Sequence, residues 1–278
     1  MLPNESENRE TIRNRFSGNF AISATLTDEL VRFLDDLREM DIRFSDTVKA
    51  FVLGTLARET RRYRAIVAVC ELGLTESADA LVRTMYEGVL SLKYVFDLKI
   101  SVADQSVELQ NVLKNLPSPG EVEIQDFRVG LYRAMAASSY LCLMKEYGET
   151  DPEAEQNFLN VQASIPPAWQ EVQRKRRSYS GLNIKQLAEY CGMATYHNRI
   201  YPQHCHISHA NDAMSFVKRT GDGNAWVQLA TDIQEVGRVL YLASEIAFWI
   251  VDAIEKGLRC EANMDELYKE HKDLANNA

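Results

Sequence analysis

The apolar residues between positions 226 and 254 recur every three or four positions, and this spacing constrains the fold more than any other feature of the chain. Residues at such a spacing line one face of an α-helix. The seam consists of Trp226, Leu229, Ile233, Val236, Leu240, Ala243, Ala247, Ile250 and Ile254. It predicts a helix of roughly 33 residues, about 50 Å long. A second stripe, made of Leu242, Ile246, Trp249 and Ala253, predicts neighbours on more than one side of this helix.

Earlier apolar stripes predict an antiparallel helical hairpin. The first helix covers 46–72, and its stripe contains Val52, Leu56, Tyr63, Ile66 and Cys70, interrupted by Glu59. After Gly73, Thr75 is expected to cap a second helix that runs to about Leu98. Its inward face contains Ala78, Leu81, Met85, Val89, Leu92 and Phe96. A further amphipathic helix is expected over 125–147.

Segments rich in Gly, Pro and small polar residues separate these helices, at 115–121, 148–153, 164–167, 179–183 and 219–224. No alternation typical of strands is found. The sequence therefore predicts an all-α fold, an antiparallel helical bundle with extra short helices. We expect three segments: a polar N-terminal segment with a short helix (1–44), the bundle (45–260) and a C-terminal tail with a fraying surface helix (261–278).

Charge and cysteine usage indicate a cytoplasmic protein that does not bind nucleic acid over its whole surface. The formal net charge is -9, and the five cysteines are scattered, with no C-x-x-C spacing. The polar start has no apolar core typical of a secretory signal, and the apolar run at 239–251 is too short to span a bilayer. Two basic segments, RETRRYR at 58–64 and RKRR at 174–177, are typical of solvated helix faces.

A cluster of histidines is the first candidate for chemistry. Four of the five histidines, His197, His204, His206 and His209, lie within thirteen positions. Histidine titrates near neutral pH, which general acid–base catalysis requires. Alternatively, one or two of these side chains are buried for structural reasons, or His204, His206 and His209 bind a metal together with Cys205 and Asp212. The spacing matches no established zinc pattern, and the chain has no phosphate-binding glycine loop, so no cofactor is expected.

Arg83 and Glu87 form a second candidate site. They are four residues apart in an otherwise apolar helix, where charged side chains persist only when they are partnered. The pair either orients a functional site or stabilises the helix. Glu59 is a possible structural partner for Arg83.

Three stretches taken together, ADALVRTMYEGVLSLKYVF, SYSGLNIKQLAEYCGM and YPQHCHISHAND, resemble the bacterial domain-of-unknown-function family 5677 over roughly residues 45–255. This family is similar to the HEPN superfamily of helical, nucleotide- and RNA-associated domains. The resemblance implies site residues at Arg83, Glu87, Ser180, Gly181, Tyr201, Cys205 and His209. Cys205 departs from the family pattern, in which a serine is usual.

HEPN ribonucleases share an Arg-x4–6-His motif, in which the arginine steadies the scissile phosphate and the histidine assists attack by the ribose 2′-OH without a metal. Arg199 matches it with His204 or with His206, whereas the family pattern favours His209. Only His206 would share a helical face with Arg199, and Pro202 interrupts either pairing.

The resemblance therefore implies a metal-independent endoribonuclease or a degenerate relative, serving in antiphage defence or toxin–antitoxin control. A neutral His206 or His209 would take the 2′-OH proton, and Arg199 or Arg83 would stabilise the charge on phosphorus. Tyr201 and the basic segment of Arg174, Lys175, Arg176 and Arg177 are expected to bind RNA. A homodimer and a partner protein such as an antitoxin are also expected. The alternative is a non-enzymatic interaction or nucleotide-sensing module.

Overall fold

The computed structural model describes residues 5–41, 44–120, 122–199, 201, 217–219, 225–227, 233 and 235–276. The helices of this part of the chain are α1 (Glu5–Arg15), α2 (Ser17–Glu39), α3 (Asp46–Glu71), α4 (Thr75–Val95), α5 (Val107–Lys114), α6 (Ile124–Glu146), α7 (Pro152–Ala163), α8 (Pro167–Arg176), α9 (Ile184–Tyr190), α10 (Ala194–Arg199), α11 (Glu235–Leu258) and α12 (Asp265–Asn276). A short 3-10 turn covers Val102–Asp104, and two strands, β1 (Val217–Arg219) and β2 (Ala225–Val227), lie between α10 and α11. The all-α prediction is confirmed.

The two strands correct the prediction that the last long helix begins at Trp226. Trp226 belongs to β2 and pairs with Lys218 of β1 in an antiparallel register. The glycine-containing segment 220–224 joins two short stretches that contain valine or tryptophan, a composition that favours a hairpin. Ile233 lies in a turn, and α11 begins at Glu235. The helix therefore has 24 residues and is about 36 Å long.

The chain divides into two compact units. The first contains Met1–Asp41, Val52–Val89 and Asn198–Ala278, and the second contains Ile42–Phe51 and Leu90–His197. Both chain ends thus belong to the same unit as much of the predicted bundle.

Helix α11 forms the centre of the first unit. Fourteen of its residues are buried, on both predicted stripes, and it packs against α2 and α12. These neighbours bury most of the described part of both stripes within the chain, so the width of this apolar face gives no support for a homodimer. The homodimer itself stays a prediction from the family resemblance.

Helices α1 and α12, the first and the last of the described helices, both pack against α2. Ile12 of α1 is buried, and Arg13 forms an ion pair of 2.6 Å with Glu71 of α3. Helix α12 is the surface helix predicted for the C-terminal tail, and it buries Leu267 and His271 on one face, so it is packed and not merely solvated. An amphipathic helix with an apolar neighbour is stabilised by packing, even where its composition is mostly polar.

The hairpin of α3 and α4 confirms the predicted pairing of these helices. Gly73 adopts a left-handed φ of 72°, and the Leu74 amide donates to the Val69 carbonyl at 3.0 Å, which closes the end of α3. Helix α4 ends at Val95, three residues before the predicted Leu98, because Asp97 is left-handed (φ 57°). The predicted stripe of α3 is completely buried at Val52, Leu56, Tyr63, Ile66 and Cys70.

The second unit is organised around Trp169 of α8 and Arg128 of α6. Trp169 packs edge-on against Phe127, and its indole nitrogen donates to the Pro117 carbonyl at 3.0 Å. The buried Arg128 guanidinium lies 4.3 Å from the Tyr94 ring and forms an ion pair of 2.9 Å with Asp97. The segments rich in Gly, Pro and small polar residues lie between the helices of this unit, as predicted. In one of them, Asp151 caps α7 by accepting a hydrogen bond from the Ala154 amide at 2.9 Å.

Candidate functional site

Arg83 and Glu87 form an ion pair on α4 at the edge of the buried face. The Arg83 Nε donates to Glu87 Oε1 at 3.2 Å, as the spacing of four residues predicts. Val82, Met85 and Tyr86 beside them are buried, whereas the two charged side chains are 23% and 40% exposed. The pair is therefore anchored on a packed helix and remains accessible to solvent.

Tyr201 joins this pair from a distant part of the sequence. Its hydroxyl donates to Glu87 Oε1 at 2.7 Å and accepts from Arg83 Nε at 3.1 Å. The buried ring contacts Tyr86, with centroids 5.6 Å apart, and the Arg83 guanidinium lies 5.3 Å from its centre. Burial, together with the hydrogen bond to Glu87, raises the pKa of Tyr201 above its ordinary value. Three predicted site residues thus lie together.

Glu59 of α3 binds arginines of its own helix. Arg58 Nε donates to Glu59 Oε1 at 2.7 Å, and Arg62 Nη1 donates to the two carboxylate oxygens at 2.8 and 3.0 Å. Arg83 has described partners in Glu87 and Tyr201 instead. Glu59 was suggested as a structural partner of Arg83. In the structure it pairs with Arg58 and Arg62.

Most of the histidine cluster lies outside the described residues, including His204, His206 and His209, together with Cys205 and Asp212. For Arg199, the last residue of α10, only the backbone is described. The predicted approach of His209 to Arg83 and Glu87 thus stays a prediction. His197 is on α10 and is buried; burial and the nearby Lys185 lower its pKa. A buried neutral imidazole fits the structural interpretation of this one histidine.

The basic segment at the end of α8 belongs to the second unit. Arg174 and Lys175 pair with Glu171 at 2.7 and 3.0 Å, and these contacts lower the pKa of Glu171 to about 2. Arg176 donates to the Gly181 carbonyl at 2.7 Å, and Arg177 is left-handed at the end of the helix (φ 48°).

A groove of about 800 Å³ runs along α6, α7 and α8 in the same unit. Arg174 and Arg177 line it together with Cys142, Phe158 and Gln170. RNA binding by the basic segment remains a prediction.

The turn at Ser180 and Gly181 has a packing role. Ser180 is fully buried, and its hydroxyl accepts from the Leu182 amide at 3.2 Å. Gly181 has a φ of 70°, and a Cβ there would lie 2.8 Å from Leu116 and 2.9 Å from Val172. The turn therefore needs glycine for its conformation and for space.

A further polar cluster, in the first unit, was missed from the sequence. The buried Glu245 of α11 pairs with His271 of α12 at 3.2 Å and with Lys272 at 2.7 Å. The Tyr241 ring stacks on His271, with centroids 4.3 Å apart. Although burial raises the pKa of Glu245, the hydrogen bonds from His271 and Lys272 bring it below its ordinary value. The sequence feature that could have indicated this cluster is Glu245, the single carboxylate in the apolar run at 239–251.

The described ranges contain neither a cluster of metal-binding side chains nor a helix that could span a membrane. No group of three or more His, Cys, Asp or Glu side chains there has an arrangement that could hold a metal ion. The four cysteines in this part of the chain are free thiols. Among the described helices, none combines the length and the apolar character needed to cross a membrane.

Comparison with known proteins identifies the family of the chain. No curated protein and no solved structure shows a significant match. The model of a family of unknown function, DUF5677, matches residues 49–224, which is more than half of the chain. This match includes Arg83, Glu87, Tyr201 and the whole histidine cluster. The chain therefore belongs to the DUF5677 family.

Proposed function

We propose that this chain is a HEPN-like, metal-independent endoribonuclease. The observation that supports the proposal is the Tyr201 hydroxyl, which bonds to both Arg83 and Glu87. Tyr201 also lies just before three of the clustered histidines, because His204 follows it by three positions and His206 and His209 come next. The hydrogen bond between Tyr201 and Arg83 thus places a residue next to these histidines in sequence beside a guanidinium group that can bind a phosphate.

The proposed reaction is the intramolecular transesterification of RNA. A neutral His206 or His209 takes the proton of a ribose 2′-OH, whose oxygen attacks the adjacent phosphorus. The bond from phosphorus to the 5′-oxygen breaks, and that oxygen receives a proton from a histidinium or water. The products are a 2′,3′-cyclic phosphate and a 5′-hydroxyl. Arg83 or Arg199 stabilises the negative charge that develops on the phosphoryl oxygens.

The remaining parts of the proposal concern partners. Arg174, Lys175, Arg176 and Arg177 provide further cationic groups for RNA, and two subunits would bring their arginines and histidines together in a homodimer. A role in antiphage defence or toxin–antitoxin control, with a protein that restrains the activity, is consistent with such an enzyme. These proposals follow from the likeness to HEPN proteins.

The decisive experiment is cleavage of single-stranded RNA in the presence of EDTA. We expect products that carry a 2′,3′-cyclic phosphate, and activity that falls as histidine protonates below about pH 6. Alanine at His206 or His209 should abolish cleavage and leave the helical circular dichroism unchanged. A His197→Gln variant is the matched control, because His197 belongs to the same histidine cluster but is buried on α10.

Two results would contradict the proposal in different ways. Full activity in both alanine variants would exclude His206 and His209 as essential and direct attention to His204. Absence of cleavage of several RNAs by the wild-type protein, alone and with a neighbouring gene product, would favour the non-enzymatic interaction module.

A further inference from the structure

A cavity of about 360 Å³ is lined by the end of α11 and the start of α12, both in the first unit. Phe248, Asp252 and Glu255 lie on one face of α11, because they are four and three positions apart. Asp265 and Tyr268 line the cavity from α12. The Phe248 and Tyr268 rings meet edge-on, with centroids 5.0 Å apart. The volume is in the range of small-molecule sites, about 300–1,000 Å³.

Three aromatic rings, those of Phe248, Trp249 and Tyr268, form part of the wall. The face of an aromatic ring attracts a cation that lies within about 6 Å of its centre. Lys272 of the chain already uses this attraction, since its ammonium nitrogen lies 5.0 Å from the centre of the Tyr268 ring. The same nitrogen donates to both oxygens of Glu245 at 2.7 Å, so its charge is balanced inside the chain. The wall thus has a demonstrated affinity for an ammonium group.

The charged residues of the lining are all acids, namely Asp252, Glu255 and Asp265. Lys256 pairs with Asp252 at 2.7 Å, so the three carboxylates outnumber the cation beside them. Asp265 and Glu266 lie in the first turn of α12 and offset the positive end of its dipole. The carboxylates do not form a group that could hold a metal ion. Negative charge and aromatic rings together favour an organic cation, whereas acids alone would only indicate a solvated helix end.

We propose that this cavity binds a quaternary ammonium group. Glu255 Oε1 already accepts from the Ala262 amide at 2.6 Å, and Asp252 already binds Lys256. Carboxylates whose oxygens are used in this way fit a cation that donates no hydrogen bond, and a quaternary ammonium is such a cation. Its methyl groups contact the rings, and the carboxylates balance its charge at longer range. The site is independent of the proposed ribonuclease reaction.

The test measures the binding of choline to the full chain by isothermal titration calorimetry. Its control ligand is dimethylbutanol, the neutral isostere of choline in which carbon replaces nitrogen. We expect choline to bind at least about tenfold more tightly than the alcohol, because only choline carries the charge. Ethanolamine should bind more weakly than choline, because a primary ammonium is strongly hydrated. A peptide that contains trimethyllysine compares the two sources of such a group: tighter binding than choline indicates a protein side chain, and weaker binding a free small molecule.

Substitutions in the lining locate the bound cation. Trp249→Leu and Tyr268→Leu should each weaken choline binding about tenfold, whereas Tyr268→Phe keeps the ring and should bind as the wild type does. Asp265→Asn should weaken binding about fivefold, because it removes one nearby charge. Glu270→Gln is its matched control, since Glu270 is an exposed acid of α12 outside the lining. Urea unfolding midpoints of all variants identify any loss that is caused by unfolding.

Three results would overturn the proposal. Equal affinity for choline and dimethylbutanol would show that the cavity accepts any apolar group of this size. Choline binding that survives both Trp249→Leu and Tyr268→Leu would place the ligand elsewhere on the chain. Absence of choline and trimethyllysine binding by the folded wild-type protein, or tighter binding of ethanolamine than of choline, would exclude a quaternary ammonium site.

Discussion

The contact of Tyr201 with Glu87 and Arg83 can be tested by removing one oxygen atom. Tyr201→Phe deletes the hydroxyl that donates at 2.7 Å to Glu87 and accepts at 3.1 Å from Arg83. It keeps the ring, and therefore the contact with Tyr86 and the position of the Arg83 guanidinium over the ring. The variant thus isolates the hydrogen bonds from the packing.

The expected loss follows from the exposure of the partners. A hydrogen bond to a charged group contributes about 1.5–3 kcal/mol when the partner left behind cannot find another. Glu87 and Arg83 are partly exposed, so water can replace the hydroxyl. We therefore expect the free energy of unfolding to fall by about 1–1.5 kcal/mol, which is below that range because water compensates part of the loss.

The assay is urea unfolding followed by circular dichroism, with the same m value required in each protein. A double-mutant cycle with Glu87→Gln should return a coupling energy of about 1 kcal/mol between the two side chains. In the cleavage assay, Tyr201→Phe should lower kcat more than it raises KM, because it loosens the start of the histidine segment. A stability within about 0.3 kcal/mol of the wild type, with no coupling, would refute the reasoning.

Three further predictions concern the scaffold. Gly181→Ala should lower the free energy of unfolding by about 2–4 kcal/mol, because the new Cβ both strains the left-handed backbone and crowds Leu116 and Val172. Gly148 has a similar φ of 71° but open space around it, so Gly148→Ala should cost about 1 kcal/mol in the same urea titration. The partners of Glu245 depress its pKa, so the stability that this carboxylate contributes is complete above its unfolded pKa, near 4.3, and is lost as pH falls through its folded pKa. In unfolding experiments from about pH 2 to 6, Glu245→Gln should therefore reduce the loss of stability at acid pH. Native thiol titration should lose a fast equivalent in Cys142→Ser but not in Cys70→Ser, because Cys142 is exposed and burial raises the pKa of Cys70 to about 12.

The sequence predicts the long amphipathic helices well for a physical reason. The stripes of α3, α4 and α6 extend over five turns or more, so their periodicity exceeds accidental spacing, and glycine- and proline-rich segments mark their ends. The error at Trp226 has the opposite cause. A strand of three residues is too short to show alternation, and the residues around it happened to continue the spacing of α11.

The site could be predicted only in part. The spacing of four residues was enough to pair Arg83 with Glu87, because that contact is local. Tyr201 lies 114 positions from Glu87, and its approach depends on how the chain returns to α4, which no local pattern encodes. Glu59 shows the limit most clearly: its interruption of an apolar stripe was visible, but the space provided by Gly88 was not.

The cluster of Glu245, His271 and Lys272 affects how the protein can be shortened or joined to other proteins. A version that stops before Asp265 would remove both hydrogen-bonding partners, His271 and Lys272, from the buried carboxylate of Glu245, and it would uncover the face of α2 against which α12 packs. Exposed apolar surface of this kind promotes aggregation. Domain-mapping experiments that delete the last fourteen residues would therefore report a folding defect as though it were a loss of binding or activity. Fusions at this end need a linker that leaves the helix free to dock.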